Sequence, residues 1–207
     1  MQTVGNNTST NLNVTTKSKL ILKTNFIRNK IKTTILLFIF SISLYAQEYK
    51  VDKENSQISI IGTSNIHDWS SVVGQFELSG KVNSKSISDI YFEAIVKSIK
   101  SGESGMDKNI YKALKSDNFP KIEFRSKNLM IEGNEMTGKG PLTIAGQSKE
   151  IDVSFKFIKK NEKYIVSASI PLIMTDYGIK PPTAVFGMIK TGDEIKLEIL
   201  LSLKTKN

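Results

Sequence analysis

The sequence predicts an all-β domain, built from an antiparallel sheet of about eight strands closed into a barrel. It also predicts one short α-helix and an N-terminal signal peptide. Three observations support this fold class. An apolar run lies near the N-terminus, between residues 33 and 44. The chain beyond it alternates apolar and polar residues at period two, as half-buried strands do. Short turn signals separate the alternating segments, so most strands are expected to pair as hairpins.

The N-terminal segment has the order of a secretory signal peptide. Lys30 and Lys32 precede an apolar run that ends at Leu44, and the small residue Ala46 lies just beyond it. A basic region, an apolar stretch of about ten residues and a small residue at the cut define such peptides. We therefore expect a polar, disordered extension at 1–29, a signal peptide at 30–46 and a mature domain at 47–207.

Membrane retention is the alternative to cleavage. A spanning helix needs about 20 mostly apolar residues, whereas the run from Thr33 to Leu44 is shorter and contains Thr and Ser. Cleavage just after Ala46 gives a periplasmic or secreted protein, and this is the expected outcome. Retention would leave the domain anchored to the inner membrane by residues 31–46.

The charge and cysteine content exclude several classes of protein. The net charge is +9, but residues 1–46 hold six of the basic residues and no acidic ones, which leaves 23 basic and 20 acidic residues afterwards. A nucleic-acid binder should concentrate basic residues in its folded part, so no nucleic-acid partner is expected. The chain has no cysteine, which excludes thiol catalysis, Cys-ligated zinc and a lipidated cysteine.

The strands follow one another with hairpin-length connections. Turn signals occur at Glu132-Gly133-Asn134 and at Ala145-Gly146-Gln147, among other places. So many strands must curl or split, and closure into a barrel removes the exposed edges. Helical spacing occurs only over Met106–Lys115, which is too short to cover the sheet but could cap one mouth of the barrel. The alternating segments are 56–61, 76–82, 90–96, 122–124, 129–131, 136–142, 151–157, 166–170 and 195–203.

The apolar face of these strands is the candidate ligand cavity. Small residues on the interior of a barrel leave room and large residues fill it. Gly138 and Gly140 share a face with Met136 and Leu142, so that side is expected to be the interior. A fully packed core remains the alternative, since period two does not show which face encloses a cavity. The large candidates are Phe76, Phe92, Phe124, Met136, Phe155 and Phe157; the small ones are Gly80, Ala94, Gly138, Gly140 and Ala168.

Polar candidates lie at the expected mouth of the barrel. His67 is the only histidine, and His67-Asp68 could be a general-base pair, a headgroup contact or an ordinary loop pair. A protein metal site needs about three or four ligands, and no such spacing exists. Trp69 could cap the mouth or pack in the core. Tyr177 lies in the proline-containing connection 176–182, which is expected to form a rim or a surface loop.

An ordered set of motifs resembles one known family. The set includes Tyr49-Lys50-Val51-Asp52, Asn65-Ile66-His67-Asp68-Trp69, Phe119-Pro120-Lys121-Ile122-Glu123-Phe124 and Gly140-Pro141-Leu142-Thr143-Ile144-Ala145-Gly146. In this order, across residues 49–203, the chain resembles the YceI-like lipid/polyisoprenoid-binding proteins. The resemblance implies a lipocalin-like barrel that holds an amphiphile with a long isoprenoid tail, and it implies no catalytic residues.

The function expected on this basis is an exported, non-catalytic carrier of an isoprenoid-tailed amphiphile, of the quinone or polyprenyl phosphate class. No cofactor is expected beyond such a bound lipid. Membrane contact is expected to be transient, or to occur through an uncleaved N-terminal segment, and the oligomeric state, including a homodimer, is left open. One alternative is an envelope stress or interaction protein with a packed barrel. Another is a small hydrolase or isomerase that uses His67.

Overall fold

The computed structural model describes residues 49–205, so the predicted extension 1–29 and signal peptide 30–46 lie outside the described residues. The described part contains twelve strands, one α-helix and four short 3-10 helices. The strands are β1 Tyr49–Val51, β2 Gln57–Ser64, β3 Trp69–Val73, β4 Phe76–Val82, β5 Ser86–Ile95, β6 Ile99–Lys100, β7 Lys121–Glu132, β8 Glu135–Ile144, β9 Gln147–Lys160, β10 Lys163–Ile173, β11 Thr183–Ala184 and β12 Ile189–Thr205. The helix, α1, is Ser104–Ala113, and the 3-10 helices are Lys53–Asn55, Val96–Ser98, Met174–Tyr177 and Val185–Gly187.

All twelve strands belong to one curled antiparallel sheet, which forms a half-barrel. The strand order is β4-β5-β7-β8-β9-β10-β12-β2-β3-β6, and β1 and β11 also pair with β12. The prediction of an antiparallel, mostly β domain with one short helix is therefore confirmed. The strand count exceeds the predicted eight, partly because β1, β6 and β11 contain only two or three residues each.

The chain bends at two neighbouring places, between β3 and β4 and between β5 and β6, and the two bends are hydrogen-bonded to each other. β3 leads into β4 through Gly74 and Gln75, and β5 leads into β6 through the 3-10 helix that ends at Ser98. The Gly74 amide donates to the Ser98 carbonyl at 3.0 Å, and the Gln75 amide donates to the Ser98 hydroxyl at 2.9 Å. The Ile95 amide donates to the Gln75 carbonyl at 3.0 Å. These bonds pair the backbone groups across the bend, so the two segments turn without losing their hydrogen bonds.

The core lies on the concave face of the sheet. Alternate residues of the long strands point to this face, as the period-two pattern predicts. Ile99 and Val96, at the bend beside β6, are almost completely buried. Each such aliphatic side chain contributes about 1.5–3 kcal/mol to stability when it is fully buried. The inward residues of β12 are Ile195, Leu197, Ile199, Leu201 and Leu203.

The helix begins two residues earlier than the sequence predicts. Its first turn is stabilised by Asp107 and not by an N-cap side chain. Glu103 occupies the N-cap position and makes no side-chain cap bond. The Asp107 carboxylate instead accepts from the backbone amide and the hydroxyl of Ser101, both at 2.8 Å. These bonds lower the pKa of Asp107. At the other end the helix stops at Ala113, so the predicted end at Lys115 is two residues too late.

Acid is expected to weaken the domain through Asp52. The Asp52 carboxylate accepts from Lys204 at 2.8 Å, Lys163 at 3.2 Å and Asn55 at 3.0 Å. The hydrogen bond from Lys204 is the largest cause that lowers the pKa of Asp52 to about 2. Because the folded pKa lies below the unfolded value of about 3.9, the stabilisation is complete above about pH 4 and disappears as the pH falls towards 2.

Urea unfolding between pH 7 and pH 2 measures this effect. The Asp52→Asn variant should be less stable than wild type at pH 7 and should lose less stability between pH 4 and pH 2. Asp152→Asn, at an exposed position of β9, is the control and should follow the wild-type curve. Parallel acid limbs for wild type and Asp52→Asn would contradict the assignment.

Candidate functional site

A cavity lies under α1, on the concave side of the sheet. Its volume is about 480 Å³, within the usual range of small-molecule sites. We call it the helix-capped cavity. Its walls are mostly aliphatic. They come from β2, β3, β7, β8, β10, β11, β12, the helix and the 3-10 helix that follows β10. Central lining residues are Ile60, Ile122, Ile144, Leu172, Ile195 and Leu197.

A second cavity of about 180 Å³ lies further along the sheet, and we call it the inner cavity. Leu197 lines both cavities. Along β12, Ile195 borders only the helix-capped cavity, whereas Ile199 and Leu203 border only the inner one. The two cavities therefore follow one another along β12. From Ile195 to Leu203 the strand spans about 26 Å at a rise of about 3.3 Å per residue.

The helix covers the larger cavity with its apolar face. Met106, Ile110, Ala113 and Leu114 all line that cavity. These positions are separated by four, three and one residues, so they form one stripe on a helix. The sequence suggested that the short helix could cap one mouth of a barrel; in the structure it lies over this cavity. Tyr111 attaches the helix to the sheet, since its hydroxyl lies 2.9 Å from the Ile99 carbonyl of β6.

Trp69 and His67 lie at the open end of the helix-capped cavity, and both line it. The Trp69 ring lies flat against Gly62, its partner across β2 and β3, where a side chain on Gly62 would overlap the ring. The indole N–H donates to the Thr63 carbonyl at 3.0 Å. Nδ1 of the exposed His67 lies 2.7 Å from the Asp68 carbonyl, so this nitrogen carries the proton. The Asp68 side chain is exposed and borders neither cavity.

His67→Ala is expected to leave lipid co-purification within a few-fold of wild type. The ring is exposed and bonds only to a neighbouring carbonyl, and within residues 49–205 no group of three His, Asp or Glu side chains could hold a metal ion. A lone histidine without a nucleophile or metal supports no complete mechanism. Lipid extraction from equal amounts of both proteins measures the effect. A loss of about a hundredfold in a turnover assay, with the fold intact, would favour the enzyme alternative.

Tyr177 is buried, although it was expected at the rim. Its side chain lines the helix-capped cavity and is 2 % exposed. Burial raises the pKa of its hydroxyl, which has no hydrogen-bond partner among the described residues. The connection turns inward again at Ile179, which is also buried. The exposed rim is formed instead by Ile66, Val185, Phe186 and Met188, and the Asn65 side chain joins its two loops by bonding to the Met188 carbonyl at 2.9 Å.

The predicted aromatic candidates divide between the inner cavity and the surrounding core. Phe92, Phe124, Met136 and Phe155 all line the inner cavity, as does Gly80. Phe76 is buried with its ring 6.1 Å from that of Phe92, but it borders neither cavity. Phe157 lies further out, with its ring 6.0 Å from that of Tyr164. Ala94 and Ala168 pack in or against the core without lining a cavity.

Gly138 and Gly140 line neither cavity. The register places Phe124 opposite Leu142 and Leu129 opposite Gly138, so β7 has one more residue than β8 over this stretch. The resulting bulge brings the β7 backbone against both glycines. A side chain on Gly140 would overlap the Arg125 carbonyl oxygen, and one on Gly138 would meet the Asn128 carbonyl oxygen at 2.8 Å. The expected free space on this face is therefore filled by the neighbouring strand.

Several lining residues were not among the candidates from sequence. Ile60 belongs to a recognised alternating segment, so the period-two signal for it was present. Ser71 pairs with Ile60 across β2 and β3 and lies on the same inward face, but its polar side chain concealed this. Leu172 and Ile144 each lie two residues beyond the alternating segments recognised in the sequence, 166–170 and 136–142. Among residues 49–205, no helix is long and apolar enough to span a bilayer.

The family of the chain follows from its match to a family model. A model described as the YceI-like domain matches residues 49–203. The chain belongs to the YceI-like family. That match covers three quarters of the chain, including every element that lines the two cavities. No curated protein matches the chain significantly.

Solved structures show the same fold for the YceI-like domain. BcnA of Burkholderia cenocepacia is 15% identical with a TM-score of 0.64, over 74% of this chain and 99% of that one. The YCEI protein of Campylobacter jejuni is 17% identical with a TM-score of 0.56, over 66% and 84%. A polyisoprenoid binding domain from Saccharophagus degradans, implicated in plant cell wall breakdown, is 12% identical with a TM-score of 0.55, over 77% and 99%. At these identities the likeness is one of fold.

Proposed function

We propose that this YceI-like protein is an exported, non-catalytic carrier that holds the isoprenoid tail of an amphiphile along β12. The observation that carries the proposal is the succession of two apolar cavities along one strand, with Leu197 in the walls of both. An elongated apolar space suits a linear tail better than a compact substrate. The relative from Saccharophagus degradans is described as a polyisoprenoid binding domain, which supports the same ligand class here.

A closed, lipocalin-like barrel is the arrangement of the sheet that fits this proposal. The paired path begins with β4 and ends with β3 and β6. β4, at one end of the path, continues the chain from β3, and β6, at the other end, continues it from β5. The same two bent segments, β3–β4 and β5–β6, therefore form both ends of the path. The bent strands would then pair with one neighbour above the bend and another below it, which leaves few free edges.

The energetics of an apolar tail support tight binding. Each buried methylene contributes about 0.8 kcal/mol, and a tail of several isoprene units carries many such groups. The sum exceeds the roughly 4–15 kcal/mol that association costs in lost freedom. A packed barrel with an interaction role would have no need of either cavity, so the cavities favour the carrier over that alternative.

Export and the absence of catalysis are parts of the same proposal. The signal-like order of residues 30–46 supports cleavage after Ala46 and a periplasmic or secreted location. N-terminal sequencing of the protein from the envelope fraction tests this, and an intact chain that resists carbonate washing would favour a membrane anchor instead. The exposed position of His67 and the aliphatic walls of the larger cavity support binding without turnover.

Native mass spectrometry of the protein purified from its own host tests the ligand. We expect a bound mass that organic extraction releases and that fragments as an isoprenoid, either a quinone or a polyprenyl phosphate. Protein refolded from denaturant without lipid is the control and should lack the mass but recover it on incubation with a membrane lipid extract. A protein that is empty in both preparations, and stays empty after incubation, would contradict the carrier function.

A further inference from the structure

The hairpin that joins β11 to β12 has a stem that lines the helix-capped cavity and an exposed apolar tip. β11 pairs with the start of β12, and Thr183, Ala184 and Ile189 of this stem line the cavity. The tip, residues 185–188, lines neither cavity. Its three side chains are each more than half exposed, and that of Phe186 is fully exposed. The tip therefore extends the cavity wall into solvent with an apolar surface.

A neighbouring loop enlarges this surface. Ile66, between β2 and β3, is more than half exposed and also lines the cavity. Asn65 attaches its loop to the hairpin: its backbone amide donates to the Lys190 carbonyl at 3.1 Å, and its side-chain oxygen accepts from the Lys190 amide at 2.7 Å. The two loops therefore lie side by side at the open end of the cavity. We call the surface that they form the apolar rim, and its residues are Ile66, Val185, Phe186 and Met188.

The backbone of the tip adopts a conformation that is unfavourable for most residues. Val185 and Phe186 both have a φ of 51°, and Gly187 follows with a φ of 87°. The left-handed region is especially unfavourable for a β-branched residue such as valine. Strained residues of this kind concentrate at functional sites. Since none of the side chains at the tip is buried, packing inside the domain does not account for the strain.

The charges beside the apolar rim complement an anionic surface. Lys180 and Lys190 are exposed, and neither forms an ion pair within residues 49–205. In segments 64–68 and 180–190, these two lysines face one acidic residue, Asp68, which leaves a net positive charge. Exposed apolar side chains beside lysines are typical of surfaces that bind the interface of an anionic bilayer.

A bilayer fits the apolar rim better than a second copy of the chain does. A stable protein interface buries about 1,200–2,000 Å² in total, and four side chains on two loops supply only part of that area. Membrane binding needs no complementary surface, and it strengthens with the apolar area that enters the bilayer. The ligand class favours the bilayer too, because exposure of an isoprenoid tail to water is unfavourable.

We infer that the apolar rim inserts into the surface of an anionic phospholipid bilayer, so that the open end of the helix-capped cavity meets the membrane. This inference rests on the proposed carrier function and adds to it the surface through which the ligand enters. The tail passes from the acyl chains into the cavity beside Ile66, without crossing water. Lys180 and Lys190 then lie near the anionic headgroups.

Sedimentation with phospholipid vesicles tests the inference on protein purified from its own host. The vesicles contain phosphatidylcholine, alone or mixed with phosphatidylglycerol. Phe186→Ser should bind the mixed vesicles at least about fivefold more weakly than wild type, and the double variant with Met188→Ser more weakly still. Ile158→Ser is the matched control and should bind as wild type does, because Ile158 is an equally exposed apolar residue of β9 that lines neither cavity.

Lysine variants test the contribution of charge. Lys180→Gln and Lys190→Gln should each weaken binding to the mixed vesicles about fivefold and leave binding to phosphatidylcholine alone unchanged. Lys127→Gln, at an exposed position of β7, is the control and should change neither. Equal binding of wild type and Lys180→Gln with Lys190→Gln to the mixed vesicles would contradict the role of anionic headgroups.

Vesicles that carry a prenylated quinone or a prenyl phosphate separate docking from the carrier function. Phe186→Ser should take up the probe at least about fivefold more slowly than wild type. It should bind the same probe equally well at equilibrium in dye displacement, because Phe186 lines neither cavity. Its thermal midpoint should match that of wild type, since the ring is fully exposed.

Two results would overturn the inference. Equal vesicle binding by wild type and Phe186→Ser would show that membrane contact does not use the apolar rim and would point to residues 30–46 instead. A wild-type dimer in light scattering that Phe186→Ser dissociates would show that the rim pairs two copies of the chain. Vesicle binding that depends on Phe186, without uptake of either probe, would support the docking surface and contradict the carrier function.

Discussion

Replacing Gly140 with alanine is expected to lower the thermal midpoint of the delipidated domain by about 2–12 °C. The added methyl group would overlap the Arg125 carbonyl oxygen of the β7 bulge. A backbone atom cannot move aside as a flexible side chain can, so either β7 or β8 must shift and lose pairing. Overpacking of this kind costs about 1–3 kcal/mol or more.

Gly105→Ala is the matched control for this change. Gly105 lies in the first turn of α1, and a methyl group there would meet nothing within 4 Å. Alanine is also the better helix former by up to about 1 kcal/mol, so the control should keep or raise the midpoint. Differential scanning calorimetry of the three proteins measures both effects. If Gly140→Ala has the same thermal midpoint as wild type, the β7 backbone can shift without loss of stability, and the prediction is wrong.

Replacing Ala113 with phenylalanine is expected to weaken lipid binding strongly while the domain stays folded. Ala113 is on the cavity-facing stripe of α1, so the added ring would occupy the space that we assign to the tail. The ring enters existing empty volume, so it should not force the overpacking that Gly140→Ala causes. Lipid affinity should fall at least about tenfold, and the midpoint of lipid-free protein should change by only a few degrees.

Lys112→Phe is the control, since it puts the same side chain on the exposed face of the same helix. It should bind lipid as wild type does. Quantitative lipid extraction and dye displacement on all three proteins measure the outcome. Wild-type occupancy in Ala113→Phe would show that the tail does not use the helix-capped cavity, and a fall of equal size in Lys112→Phe would show a general effect on the helix.

The sequence was a good guide to strands and a weaker one to the site. Long alternating segments such as β9 and β12 were recognisable because side chains on successive residues of a strand face opposite sides. The same pattern identified Phe92, Phe124, Met136 and Phe155, which line the inner cavity. However, alternation of apolar and polar residues shows only that one face of a strand is buried. It does not show whether that face lines a cavity or packs in the core.

Gly138, Gly140 and Tyr177 show where this limit matters. A bulge in β7 fills the space beside the two glycines, and a bulge depends on the partner strand rather than on β8 itself. Tyr177 is buried although it lies in an irregular connection, where no alternation of apolar and polar residues indicates which side chains face inward. Ser71 was missed because a serine on an inward face breaks the apolar pattern.

The strand β12 has a consequence for the time course of folding. It lies between β10 and β2 in the sheet and also pairs with β1, placing Tyr49 opposite Thr205. Pairing of residues so far apart in sequence carries a high loop-closure cost and slows folding. β1 and β2 therefore lack their neighbour on that side until residues 189–205 have been synthesised. The delay would keep the chain unfolded for passage through a narrow translocation channel, as the export proposed above requires.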